Sequence, residues 1–255
     1  MVQLPWNLFS SEDPIFDIEA VPDESTQLQK MRTLWDANAK HNPLVCNDFF
    51  CGGFQEQYER NGQRLADFLA RKLQLAPGAK ILDLGGGSGR IARYLAQGCE
   101  SYTLADISPN LVCLAQARLP EKIFQFTCLS ENRLPYPDQS FSDCIAIDTV
   151  MHLPERTLRA YFNEVARVLT PGGKFFLTVG VSLEGPTDIQ AGRSLMRLLN
   201  LKPVPVGSRV GAVMNALSTG STLTLKHRGN DFPNQLPMIG VQAPFSGNYL
   251  LFERT

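Results

Sequence analysis

Five residues with chemical potential crowd one short stretch, AKILDLGGGSGRIARYLAQG at 79–98: Asp83 and the glycines at 85, 86, 87 and 89. A turn this rich in glycine clears side chains from the path of a ligand. The helix predicted after it offers unpaired N–H groups and a partial positive charge. Asp106 closes the next apolar run, SYTLADI, where a carboxylate can accept hydrogen bonds from vicinal hydroxyls. Asp148 and His152 stand close together in DTVMHLP, and either can accept a proton from a reacting group. Plainer roles stand beside these: a ligand contact or helix cap for Asp148, a packed or partly exposed helix residue for His152. His41, His152 and His227 are scattered, without the spacing of a metal site, so no metal is expected.

Positioning such groups requires a scaffold, and the chain alternates in the manner of one. KILDL, SYTLADI, IFQFTCL, DCIAID and GKFFLTVG read as strands, with helical spacing in GRIARYLAQG, SPNLVCLAQARLP and ERTLRAYFNEVARVL between them. Ser108 is the expected N-cap of the second helix, with Pro109 at its first position. Such alternation with short links predicts an α/β fold, a doubly wound parallel sheet with helices on both faces. Ahead of it, Ser25 to Lys40 has helical spacing, HNPLVCNDFFCGGF reads as a loop, and QEQYERNGQRLADFLARKLQL as a second helix. STLTLKHR and NYLLFERT supply two later strands.

Two ligand classes use a glycine turn after the first strand of such a sheet. A dinucleotide is one, and GSGRIA at 87–92 satisfies its G-x-G-x-x-A form. S-adenosylmethionine, which has no phosphate, is the other. Asp83, two residues before the first glycine, suits a cationic amino group and would repel a pyrophosphate, whereas Asp106 serves a ribose in either class. The segments LPYPDQSFSDCIAID and NEVARVLTPGGKFFLTV decide between them. With the glycine turn, and in this order, they resemble the class I S-adenosylmethionine-dependent methyltransferases from about Gly78 to Val179.

The resemblance implies a Rossmann-like, doubly wound seven-stranded sheet whose last strand is antiparallel. It implies S-adenosylmethionine as cofactor, with Asp83, Gly85, Gly86 and Gly87 along its methionine end. Asp106 would hold the ribose diol and Ile107 would pack on the adenine. After the third strand the chain reads LSEN where many relatives read GDAE, so Ser130 or Glu131 is the expected contact of the adenine amino group. Asp148 would end the fourth strand opposite the methyl group, as cofactor contact or catalytic base, with His152 the other candidate base. Residues 1–60 are expected to form an arm and helical lid, 61–255 the core, and 182–218 an insertion covering the acceptor. Arg193 and Arg197 share one face of a predicted helix there and could hold an anionic group of the acceptor, or simply face water.

The expected reaction is methyl transfer to an oxygen or nitrogen of a small-molecule metabolite. The alternatives are an RNA or protein methyltransferase and a non-catalytic S-adenosylmethionine-binding protein. A formal net charge of −1, with no run of Lys and Arg longer than two, disfavours nucleic acid as partner. No apolar run approaches membrane-spanning length and the N-terminus lacks a signal-peptide pattern, so no membrane association and a cytoplasmic location are expected. A monomer or homodimer is anticipated. The six cysteines form no CxxC pair and are expected as buried, reduced thiols.

Overall fold

The computed structural model describes residues 23–41, 43–48, 51, 53–150, 153, 155–181, 221–233 and 247–255. Helix α1 spans Glu24–His41, α2 Pro43–Asn47 and α3 Gln55–Leu73. The sheet then begins: β1 Lys80–Leu84, α4 Ala92–Leu95, β2 Ser101–Asp106, α5 Pro109–Arg118, β3 Phe124–Cys128, β4 Phe141–Ala146, α6 Glu155–Val168 and β5 Leu169–Val181. Strands β6 Leu223–Phe232 and β7 Gly247–Arg254 complete it. The seven strands lie in the order β3-β2-β1-β4-β5-β7-β6, with β7 antiparallel to both of its neighbours and the other pairings parallel. This is the Rossmann-like architecture the sequence predicts, and among the described residues no helix is long and apolar enough to cross a membrane.

The central strands are buried on both faces, and their alternating side chains divide the core in two. Ile81, Tyr102, Ile145, Phe176 and Tyr249 point to the face covered by α3 and α4. Leu82, Ala105, Cys144, Phe175 and Phe252 point to the face covered by α6, where Phe162 and Val165 meet them. Fully burying one such Leu or Phe contributes about 1.5–3 kcal/mol. α3 matches its predicted span, but the segment predicted as one long helix after β1 is helical only over Ala92–Leu95. The loop HNPLVCNDFFCGGF contains the short helix α2. All six cysteines are free, but only Cys51 and Cys144 are buried: Cys113 lies on α5 opposite its buried Leu111, Val112 and Ala115, and Cys128 is exposed at the end of β3.

Two local devices fix the connections between the strands. Ser108 caps α5, its Oγ accepting from Leu111 N–H at 3.3 Å. The loop LPYPD is clamped by α6: Arg167 donates to the carbonyls of Leu134 and Tyr136 and pairs with Asp138, while Glu164 accepts from Leu134 N–H. That clamp sets the path of the chain from β3 into β4.

Candidate functional site

The sheet order reverses direction between β1 and β4, so the loops after these strands part and leave a crevice at their C-terminal ends. The glycine turn forms one wall. Gly85 and Gly87 have φ of 75° and 58°, the left-handed region that glycine adopts without strain. Both glycines also make room for protein. A Cβ at Gly85 would collide with the Thr149 side chain, and one at Gly87 with Asn47 Oδ1. Asn47 closes α2, and its Oδ1 accepts from Ser88 N–H at 2.9 Å.

The two acids of the glycine region differ in their surroundings. Asp83 is 3% exposed and accepts the Tyr102 hydroxyl at 2.7 Å, beneath Gly86. Burial pushes its carboxyl up to about 7, against the lowering effect of the Tyr102 bond. Asp106 accepts from Gly87 N–H at 2.9 Å through one oxygen and from Ser108 N–H at 2.8 Å through the other. Burial raises it to about 6, with those backbone donors opposing. Backbone donors of the fold thus engage both oxygens of Asp106, with Ile107 N–H adding to those of Gly87 and Ser108. Ile107, next along, is partly buried against the core. Ser130 and Glu131 are exposed, and the Glu131 carbonyl accepts the Tyr161 hydroxyl at 3.2 Å.

Asp148, just past β4, has φ 55°, a strained conformation for a residue with a side chain. Thr178 of β5 holds it in place: Asp148 N–H donates to Thr178 Oγ1 at 2.7 Å, and that hydroxyl lies 3.2 Å from Asp148 Oδ1. Arg90 Nη2 stands 3.9 Å from the other carboxylate oxygen. Half of the Asp148 side chain, 49%, remains accessible in the crevice. Enclosure by the crevice walls raises its carboxyl above the ordinary range, with Arg90 and Thr178 pulling the other way. His152, Arg193 and Arg197 lie outside the described residues, as does the 182–218 insertion.

Sequence reasoning missed the way the N-terminal segment covers this edge. Arg32 of α1 donates to the Leu129 carbonyl after β3. Asp36 accepts from the Ser108 hydroxyl at 2.9 Å and Asn110 N–H at 3.0 Å after β2. Asn47 meets Ser88 after β1, and Asp48 pairs with Arg90 at 2.9 Å. One stretch of chain therefore roofs three successive strand ends. Arg90 was also missed, although its place directly after the last glycine of GGGSGR was visible.

Comparison with known proteins places this geometry. Residues 82–177 match the family model described as "Methyltransferase domain". Methyltransferase GfsG of Streptomyces halstedii is 34% identical over 118 residues, 44% of this chain and 42% of that protein. The 27-O-demethylrifamycin SV methyltransferase of Amycolatopsis mediterranei is 32% identical over 141 residues, 52% of this chain and 50% of that one. The chain thus spans half or less of the length of these relatives. Among solved structures, geranyl diphosphate C-methyltransferase from Streptomyces coelicolor, solved with S-adenosyl-L-homocysteine, superposes with a TM-score of 0.62 at 13% identity. That match covers 92% of this chain and 99% of the other.

Proposed function

We propose that the chain, whose residues 82–177 match a methyltransferase domain, is a class I S-adenosylmethionine-dependent methyltransferase that moves a methyl group onto an oxygen or nitrogen of a small-molecule metabolite. The observation carrying this reading is Asp148: a carboxylate held in a strained conformation at the β1/β4 crevice, with half of its side chain open to an incoming group. The bound cofactor would supply an electrophilic sulfonium methyl. The glycine turn and Asp106 fit it, because a carboxylate at the end of β2 can accept from the hydroxyls of a diol. Asp83, Gly85, Gly86 and Gly87 would line its methionine end and Ile107 its adenine, with Ser130 and Glu131 beside it.

Asp148 would orient the acceptor and take the proton released as the new bond forms, a task eased by its raised carboxyl. His152 is the second candidate for that proton. The roof of α1 and α2 over the ends of β1, β2 and β3 favours a small acceptor, since it covers one side of the site. No metal takes part in this scheme. The cell compartment proposed is the cytoplasm, and the assembly a monomer or homodimer.

The experiment is a transfer assay with methyl-labelled S-adenosylmethionine over fractionated metabolite pools, RNA and protein. Label in a low-mass fraction that falls at least tenfold in Asp148→Asn (an effect of about 1.4 kcal/mol on the barrier) supports the reading. Label in RNA or protein alone overturns it.

A further inference from the structure

Two carboxylates from distant parts of the chain converge on one guanidinium. Arg90 Nη1 meets Asp48, the residue after α2, at 2.9 Å, and Arg90 Nη2 stands 3.9 Å from Asp148 past β4. The two contacts are unequal. Asp48 is buried, and its Oδ2 accepts from Asn61 of α3 at 2.7 Å as well as from Arg90. Asp148 is half open to the crevice and lies beyond direct hydrogen-bond distance of the guanidinium.

The rest of the fold keeps Arg90 on the Asp48 side. Its guanidinium lies 6.0 Å from the centre of the Tyr58 ring. Helix α3 packs so closely on its stem that a Cβ at Gly62 would strike Arg90 Cγ. Swinging toward Asp148 would strand the buried Asp48 charge, which is costly. A cation beside a carboxylate ordinarily drives it toward the charged form. Here enclosure raises the Asp148 carboxyl, Arg90 lowers it, and the Asp48 charge raises it again. From β5, Thr178 faces Asp148 without a charge of its own. Cys51, Tyr58 and Asp83 also lie within the electrostatic reach of Arg90. Burial raises all three, so the thiol and the phenol stay uncharged near neutral pH.

We propose that Asp48 and Arg90 are positioning residues for Asp148: Asp48 holds the guanidinium at 2.9 Å and so denies Asp148 a full ion pair, which keeps Asp148 the stronger proton acceptor. This rests on the reading of Asp148 as the group that takes the acceptor's proton. It adds that the strength of that group is set from the N-terminal segment. A guanidinium released to Asp148 would hold the carboxylate in its charged form and weaken it as a base.

The test follows the Asp148 carboxyl carbon by NMR over a pH series in the ligand-free full chain, with Asp148→Asn identifying the signal. Asp48→Asn keeps the shape of the side chain and removes the competing charge, so it should move the Asp148 midpoint down. Arg90→Gln should move it up. In the double variant the effect of Asp48→Asn should shrink, because that effect runs through Arg90. An equal effect with and without Arg90 would reveal bare repulsion and overturn the proposal, as would an unmoved midpoint in Asp48→Asn. Asp83 is common to every variant and cancels from the comparison. Should Asp48→Asn fail to fold, Asp148→Asn supplies the reciprocal measurement, since Asn tolerates the left-handed backbone there. It removes the weaker claimant on Arg90, so amide exchange over Leu44–Asp48 should slow. Exchange that is unchanged or faster overturns the proposal. Methyl transfer is not among these readouts: full transfer by Asp148→Asn would overturn the reading of Asp148 itself, a separate outcome.

Discussion

Arg90 Nη1 lies 2.9 Å from Asp48 Oδ2, and water reaches 6% of one side chain and none of the other. The pair joins the residue after α2 to the glycine turn, and Asn61 of α3 donates to the same Asp48 oxygen at 2.7 Å. An intact buried pair adds little net stability, because desolvation cancels much of the attraction. Breaking it is costly, since one charge stays behind without its partner.

Asp48→Ala should therefore destabilise the protein by about 3–5 kcal/mol in urea unfolding. Adding Arg90→Met should recover a good part of that loss by removing the stranded charge. A single-variant loss no larger than that of a surface substitution, about 0.5 kcal/mol, would contradict the pair's isolation from water.

Asp106→Asn should weaken S-adenosylhomocysteine binding by about 1.5–3 kcal/mol per charge-assisted bond lost, read as a rise in Kd. The amide keeps the size of the carboxylate but gives up its charge. Unchanged affinity would remove Asp106 from the site.

Asp83 and Asp106 titrate at about 7 and about 6 in the folded chain, against an ordinary 3.8. Between those values the folded state holds more protons than the unfolded one, so the stability of the ligand-free protein should fall as pH rises from about 5 to about 8. Denaturation midpoints at the two ends of that range check the sign. Tyr102→Phe removes the bond that lowers Asp83 and should carry the decline to higher pH. A midpoint that climbs with pH in the wild type would refute the assignment.

Asp36 accepts from the Ser108 hydroxyl and Asn110 N–H, so α1 supplies part of the cap of α5. Asp36→Ala should cost about 1 kcal/mol, in the range of a lost N-cap. Amide exchange should quicken in α1 and in the first turn of α5 together, with β1 and β4 unaffected. Faster exchange in only one of the two helices would show that the bridge does not couple them.

The strands were legible because their apolar runs are short and bounded by glycine, proline and acids. Ser108 was legible as a cap because capping is local, as its bond to Leu111 N–H shows. Asp106 and Asp148 stood out as candidates because each ends an apolar run. A lid from residues 1–60 was expected, but the contacts that seat α1 and α2 were not legible, since Arg32, Asp36 and Asn47 act on partners 97, 72 and 41 residues away. Gly87 was read as space for a ligand, whereas the nearest occupant of that space is Asn47.

Strand β7 lies between β5 and β6, although it follows both in the chain. Among the described residues β6 reaches the sheet through β7 alone, along Leu223–Phe232 against Gly247–Arg254. A chain emerging from the ribosome therefore carries β6 unpaired until Gly247–Arg254 has followed it out, and β5 keeps an open edge for as long. The strand that closes this part of the sheet is made after both of its neighbours, so a premature stop in this short stretch would leave β6 without a neighbour and β5 with an open edge.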